Sequence, residues 1–329
     1  MYKRQRLKRP SKHLFETSLI EMGFNKEEAQ TMAKKSGYTQ TILRRLIKKP
    51  SASNIYEWME DERFLKILIP IFLLGRFDSS NEADKKIACE LFGTKSFSKV
   101  EEELNSLLSV SEDCPIWKSN NVYGNRSKLD ALFLTRKYLT KDKIDTFFSV
   151  ANEVLAEKDP ALELEKPYRT LSFMLGKTRK YSHLLRKSIC ETLCLLSAEA
   201  DSLISANFEI EEKVDRIIYD LLHPISEESW SSHYKDLDWY AEASPKSFIK
   251  ILLDDLKTAN PTVFSLLLVD KDNFLFGGNN RIKLLNGLEK LAWDENYMLD
   301  VVKILCKLSE IELDDNYTDK PIHLSLIHI

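Results

Sequence analysis

Residues 96–125 read SFSKVEEELNSLLSVSEDCPIWKSNNVYGN, and this stretch decides the fold. Its first half repeats apolar residues at helical spacing, with Val100, Leu104, Leu107 and Leu108 on one stripe. Its second half drops that period. Two short runs of aromatic and β-branched residues flank the pair Asn120 and Asn121, the signature of a β-hairpin closed by a tight turn. Going outward toward the N-terminus, RFLKILIPIFLLGRF and NEADKKIACELFG carry two further helical patterns. Going outward toward the C-terminus, the spacing predicts helix after helix.

Three helices and then a hairpin is the order of a winged-helix module, which the sequence predicts over residues 55–128. From 129 to 323, segments such as KIDTFFSVANEVLAE, PYRTLSFMLG, SHLLRKSICETLCLLSAEA, EEKVDRIIYDLLH and YMLDVVKILCKLSEI are short amphipathic units separated by Pro, Gly or Asn. Recurrent short antiparallel helices build α-solenoids, so a HEAT-like helical array is expected, although no strict repeat period is present. Residues 6–50 hold three more short helices in a small bundle. Gly23 and Gly37 stand where C-caps belong, and Asn25 and Thr39 where N-caps belong. Residues 50–54 read as a linker. The predicted fold class is therefore mainly α.

Composition agrees with a globular helical protein. Apolar residues make up 43% and charged residues 30%, with only 9 Gly and 10 Pro in 329 residues. No run reaches the ~20 apolar residues of a membrane helix. The nearest, FLKILIPIFLL, is short and holds Lys66 and Pro70, so it reads as a buried core helix. Five cysteines without pattern argue against a disulfide framework, and a reducing cytoplasm is the expected compartment. The net charge of −3 does not suit a polyanion binder, but residues 6–50 hold 11 Lys or Arg against 4 Glu. Such a local excess can mark a module facing nucleotide or nucleic acid.

Both ends read as cloning scars. Residues 324–329, LSLIHI, can be written in codons as a transposon mosaic-end adaptor, and residues 1–5, MYKRQ, match its reverse complement. They are set aside from fold reasoning, and the chain is expected to be an internal piece of a longer protein.

Candidate chemistry is sparse. GKT at Gly176, Lys177 and Thr178 has Leu171 where a P-loop needs its first glycine, and no strand pattern precedes it. FGGNNR, ending at Arg281, reads as a loop with Asn280 as an N-cap. Cys190 and Cys194 share a helical face, with His183 nearer the start of the segment. Their apolar setting predicts core packing rather than a metal site. His13, His223 and His233 are scattered, and no catalytic triad or acid pair stands out. The predicted site residues are therefore not catalytic. EEAQTMAKKSGYTQTILRRLI has helix-turn-helix spacing through Ala29, Gly37 and Leu43, and places Arg44, Arg45 and Lys48 on the following helix as nucleotide-proximal or nucleic-acid candidates.

KSGYTQTILRRLI, GRFDSSNEADKKIACEL, SKLDALFLTRKYLTKDKIDTFFSVANEVLAEKDPALEL, GKTRKYSHLLRKSICETLCLL and NGLEKLAWDENYMLDVVKILCKLSEIEL together resemble the region that follows the NTPase core in large bacterial STAND-type, AAA-like ATPases of the kind implicated in antiphage defence. The resemblance extends over nearly all of residues 6–323 but rests on scaffold motifs. It implies a helical lid, a winged helix and a helical sensor array that binds a partner protein, with no cofactor in this piece. ATP and Mg²⁺, and self-assembly, would belong to the intact protein. The reading from a different class is a DNA-binding regulator that uses the N-terminal units as readers.

Overall fold

The computed structural model describes residues 11–36, 38, 43, 57–110, 113–200, 203, 209–223, 225–268, 281–311, 313 and 320–322. The chain is mainly α-helical, with one small sheet among the described residues.

α1 (Lys12–Glu21) and α2 (Lys26–Lys35) meet across a turn at Gly23, whose φ of +100° suits a residue without Cβ. Asn25 starts α2 through a reciprocal cap. Its Oδ1 accepts from the Glu28 amide at 2.9 Å, and its own amide donates to Glu28 Oε2 at 3.1 Å. Phe15, Leu19, Ala29, Ala33 and Leu43 form a small core of their own, which Met32 links to Phe133 in the main body. The third helix expected here lies outside the described residues apart from Leu43, as do Gly37 and Thr39.

The next unit runs α3 (Glu57–Glu60), α4 (Glu62–Leu74), β1 (Arg76–Asp78), α5 (Glu82–Phe92), α6 (Phe97–Leu108), β2 (Ile116–Ser119) and β3 (Val122–Asn125). Asn81 caps α5 by accepting from the Ala83 and Asp84 amides, and Gly93 ends it at φ +72°. The hairpin forms at the predicted pair: Ser119 faces Val122, and Asn120 takes φ +50°. The sequence reading carried GRF on as part of a helical run. In the structure Gly75 turns to φ +76° and the next three residues become a strand. The sheet is antiparallel in the order β1-β3-β2, with Phe77 stacked on Tyr123 at 5.4 Å between ring centroids.

The array comprises α7 (Lys128–Thr135), α8 (Lys141–Leu155), α9 (His183–Ala198), α10 (Ile210–Leu222), α11 (Glu227–His233), α12 (Leu237–Ala243), α13 (Pro245–Asp255), α14 (Phe264–Leu267), α15 (Arg281–Ala292) and α16 (Met298–Leu308). α9 with α10, α12 with α13 and α15 with α16 pack as successive pairs. α9, α12 and α15 stack in one layer, and α10, α13 and α16 in the other. The pattern of α10 shows why: Ile210, Val214, Ile217, Ile218 and Leu221 are buried while the residues between them reach water. α12 and α15 approach most closely at Gly287, where a Cβ would come within 3.0 Å of the Ala241 methyl. One contiguous set of buried residues runs from Trp58 to Leu308, each Leu or Ile in it contributing about 1.5–3 kcal/mol of burial.

Candidate functional site: a braced apolar loop and the helix that carries it

Between α8 and α9 the chain makes two 3-10 turns, Pro160–Glu163 and Lys166–Leu171, then closes a turn over residues 172–176. The sequence reading made PYRTLSFMLG a regular amphipathic helix. The structure corrects this: the segment takes 3-10 and turn geometry and ends at the left-handed Gly176 (φ +68°), so no continuous buried stripe forms along it. The backbone of the turn is nonetheless well bonded. The Leu175 amide donates to Leu171 O at 3.0 Å, Gly176 to Phe173 O at 3.2 Å, and Lys177 to Ser172 O at 2.8 Å. Phe173 and Met174 project at 82% and 83% exposure, and Tyr168, Leu171 and Leu175 are exposed beside them. Around this tip the charges are mixed: Glu163 pairs with Lys177, Glu165 is exposed, and Arg169 Nε donates to Leu164 O at 3.1 Å.

The far end of the loop is anchored. Arg179 donates to the carbonyls of Glu157 and of Ser232, the latter at 2.6 Å, and lies 3.6 Å from Asp159. Burial and then the charge of Arg186 lower the pKa of its guanidinium. Arg186, on α9, is itself buried. Its Nε donates to Asp236 Oδ2 at 2.6 Å, its Nη1 to Val154 O at 2.9 Å, and its Nη2 lies 3.1 Å from His233 Nδ1. An arginine can only donate, so Nδ1 is the acceptor and the imidazole proton sits on Nε2. The Tyr240 hydroxyl is also 3.1 Å from Nδ1. Burial, with Arg186 and Arg179 adding repulsion, lowers His233 to about 3. The ring is therefore neutral at neutral pH.

The same helix grips the three-stranded unit on its other side. At its start, Ser182 donates from N and Oγ to the Asp84 carboxylate at 3.0 and 2.5 Å, and the Asp78 amide donates to that carboxylate at 3.0 Å. The Arg76 amide donates to Ser188 Oγ at 2.9 Å. In the β1–β3 register these two amides point away from β3, so side chains close the outer edge of β1. Arg76 Nη2 pairs with Glu191 Oε1 at 2.5 Å, and Thr192 Oγ1 donates to Leu73 O at 3.0 Å. Asn81 Nδ2 reaches the Lys180 carbonyl at 3.1 Å. α9 thus ties together the apolar loop, the array and the sheet.

Of the residues singled out from the sequence, Arg44, Arg45 and Lys48 lie outside the described residues, as do the two terminal stretches and residues 276–280 of the glycine-rich loop. Gly176, Lys177 and Thr178 are followed by irregular chain with bends at Lys180 and Tyr181, and the next helix starts only at His183. Cys190 and Cys194 are buried, Cys194 Sγ lies 3.3 Å from Trp239 O, and burial pushes the Cys190 thiol well up. His183 is exposed and apart from them. Of the groups lining the open grooves beside α13, about 330 and 420 Å³, Asp254 is lowered by the hydrogen bond from Lys257, and Tyr297, in the smaller groove, is raised by burial. Sequence reading missed the Arg186, Asp236, His233 and Tyr240 network. The only local hint was an arginine within an otherwise apolar helical stripe. Compared with protein-family models, curated proteins and solved structures, the chain matches none.

Proposed function

We propose that this chain is a non-catalytic regulatory and sensor scaffold of a larger bacterial STAND-type ATPase of the antiphage-defence kind, acting in the cytoplasm, and that it binds a partner protein through its helical array. The observation that carries the binding part is the braced turn with Phe173 and Met174 four-fifths exposed. Exposed apolar clusters rimmed by polar groups mark interaction sites, and a turn already closed by its own hydrogen bonds has little order left to lose on binding. The mixed rim of Glu163, Glu165, Arg169 and Lys177 suits an apolar pocket on a protein better than an anionic membrane surface.

Support for the place in a larger ATPase is the element order. A small helical unit, then helices with a three-stranded sheet in the order β1-β3-β2, then stacked helical pairs, suits the order of lid, winged helix and array that the resemblance implies. The helix-strand-helix-helix-hairpin unit is read here as a winged helix. DNA reading is disfavoured by charge. α6, the helix such a module would lay in the major groove, carries Glu101, Glu102 and Glu103, the latter two exposed toward any phosphates.

Two experiments test this. Sequencing the encoding locus upstream should find a P-loop in the same reading frame, and its absence over the preceding few hundred codons overturns the ATPase assignment. A photo-crosslinking residue at position 173, in the cells that encode the chain, should give one discrete protein adduct that the same residue at Glu102 does not give. Equal labelling at both positions overturns the loop as the docking element. The purified chain is expected not to hydrolyse ATP, read by phosphate release.

A further inference from the structure

Lys128 opens α7 and points into the seam between Gly75 and α9. Its Nζ donates to Ser188 O at 2.5 Å and Thr192 Oγ1 at 2.8 Å, with Glu191 Oε2 at 3.7 Å. The side chain is only 15% exposed. Gly75 leaves room for it, since a Cβ there would come within 2.4 Å of Nζ. The ionisable groups facing it are Glu191, Cys190 and Cys194 from α9 and Arg76 from β1. Glu191 is the one carboxylate among them, and its other oxygen, Oε1, is held by Arg76 at 2.5 Å. So the amine is well supplied with hydrogen-bond acceptors and poorly supplied with countercharge. Everything that holds it there belongs to one seam, where the sheet unit meets α9.

We propose that this junction is a proton-coupled latch: closed with the Lys128 amine buried between Gly75 and α9, and opened, with uptake of one proton, when the three-stranded unit parts from α9. The closed seam favours the neutral amine. Burial lowers Lys128 from 10.5 to about 7, against the pull of Glu191 and with the push of Arg76. In the open seam the amine is solvated and regains its ordinary value. Closed and open states therefore differ in bound protons between those two values, and opening becomes easier as pH falls through that window. Below it both states carry the proton, and the dependence levels off. The latch stands independently of what binds the Phe173 loop.

The amides of Arg76 and Asp78 are the reporters, because their acceptors, Ser188 Oγ and Asp84 Oδ2, lie across the seam or against it. Native-state hydrogen exchange of the full chain, corrected for intrinsic exchange, should show seam opening rising about fifty-fold from pH 9 to pH 7 and only about two-fold from pH 7 to pH 6. Amides in α12 and α15 serve as the internal reference. Lys128→Met should keep the seam closed and make its opening independent of pH. Lys128→Arg, cationic throughout, should hold it at the acid plateau. A seam whose opening does not change between pH 9 and 7, or a pH dependence that survives in either variant, overturns the latch. If Lys128→Met does not fold, the arginine variant and the wild-type profile still decide.

Discussion

Two buried basic side chains, Arg186 on α9 and Lys128 packed against it, are treated very differently. Arg186, on the array side, has a carboxylate at 2.6 Å, a carbonyl and a ring nitrogen, so that each face of its guanidinium meets an acceptor. Lys128, on the sheet side, must share a carboxylate 3.7 Å away with Arg76. The first is a permanent tie. The second is held by geometry more than by charge, which is what a junction that opens requires. A buried ion therefore says little about rigidity until its countercharge has been located.

Removing the permanent tie should have the largest effect. Arg186→Ala leaves Asp236 buried without its partner and should cost about 3–5 kcal/mol, read as a lower urea midpoint. A loss under 1 kcal/mol would mean that the two sides of α9 do not differ as described.

Acid should attack the same side next. His233 has a folded pKa near 3, below the ordinary value of 6.5, so the unfolded chain takes its proton first. Its contribution is complete above 6.5 and is lost as pH falls toward 3. On the order of 3 kcal/mol should be gone by pH 4. In His233→Asn that part of the pH profile should flatten, while the seam's dependence on alkaline pH persists.

On the sheet side, Gly75→Ala forces a Cβ into a left-handed position and into the Lys128 amine and the Ser188 side chain. A cost of about 1–3 kcal/mol is expected, with exchange at Arg76 accelerating more than exchange in α12. Uniform acceleration would remove the distinction between seam and array.

The smallest effect belongs to the loop. Phe173→Ser with Met174→Ser should leave the urea midpoint within about 0.5 kcal/mol of wild type, because neither side chain is packed. Partner crosslinking should nevertheless be lost.

What was legible in the sequence was local. The cap at Asn25, the stop at Gly23, the hairpin at Asn120 and Asn121 and the apolar setting of Cys190 and Cys194 all follow from neighbours a few residues apart. β1 was not legible, because a three-residue strand after an apolar helix leaves no period to read. The Phe173 turn was misread for a related reason: its apolar residues keep roughly helical spacing, but the backbone closes into a turn that ends at the left-handed Gly176. Nor could the network around Arg186 be seen, since Asp236 lies 50 residues from it and His233 47. Lys128 looked like any lysine at the start of a helix.

The closed edge of β1 also sets a schedule for synthesis. Ser188 follows the end of β3 at Asn125 by 63 residues, so the sheet leaves the ribosome before the hydroxyl that covers its outer amide exists. At about 5–20 residues per second, that edge stays bare for roughly 3–13 s. During that interval the nascent sheet can pair with another strand, on its own chain or on a neighbouring nascent chain, and chaperone protection is worth most between the emergence of β3 and the arrival of α9.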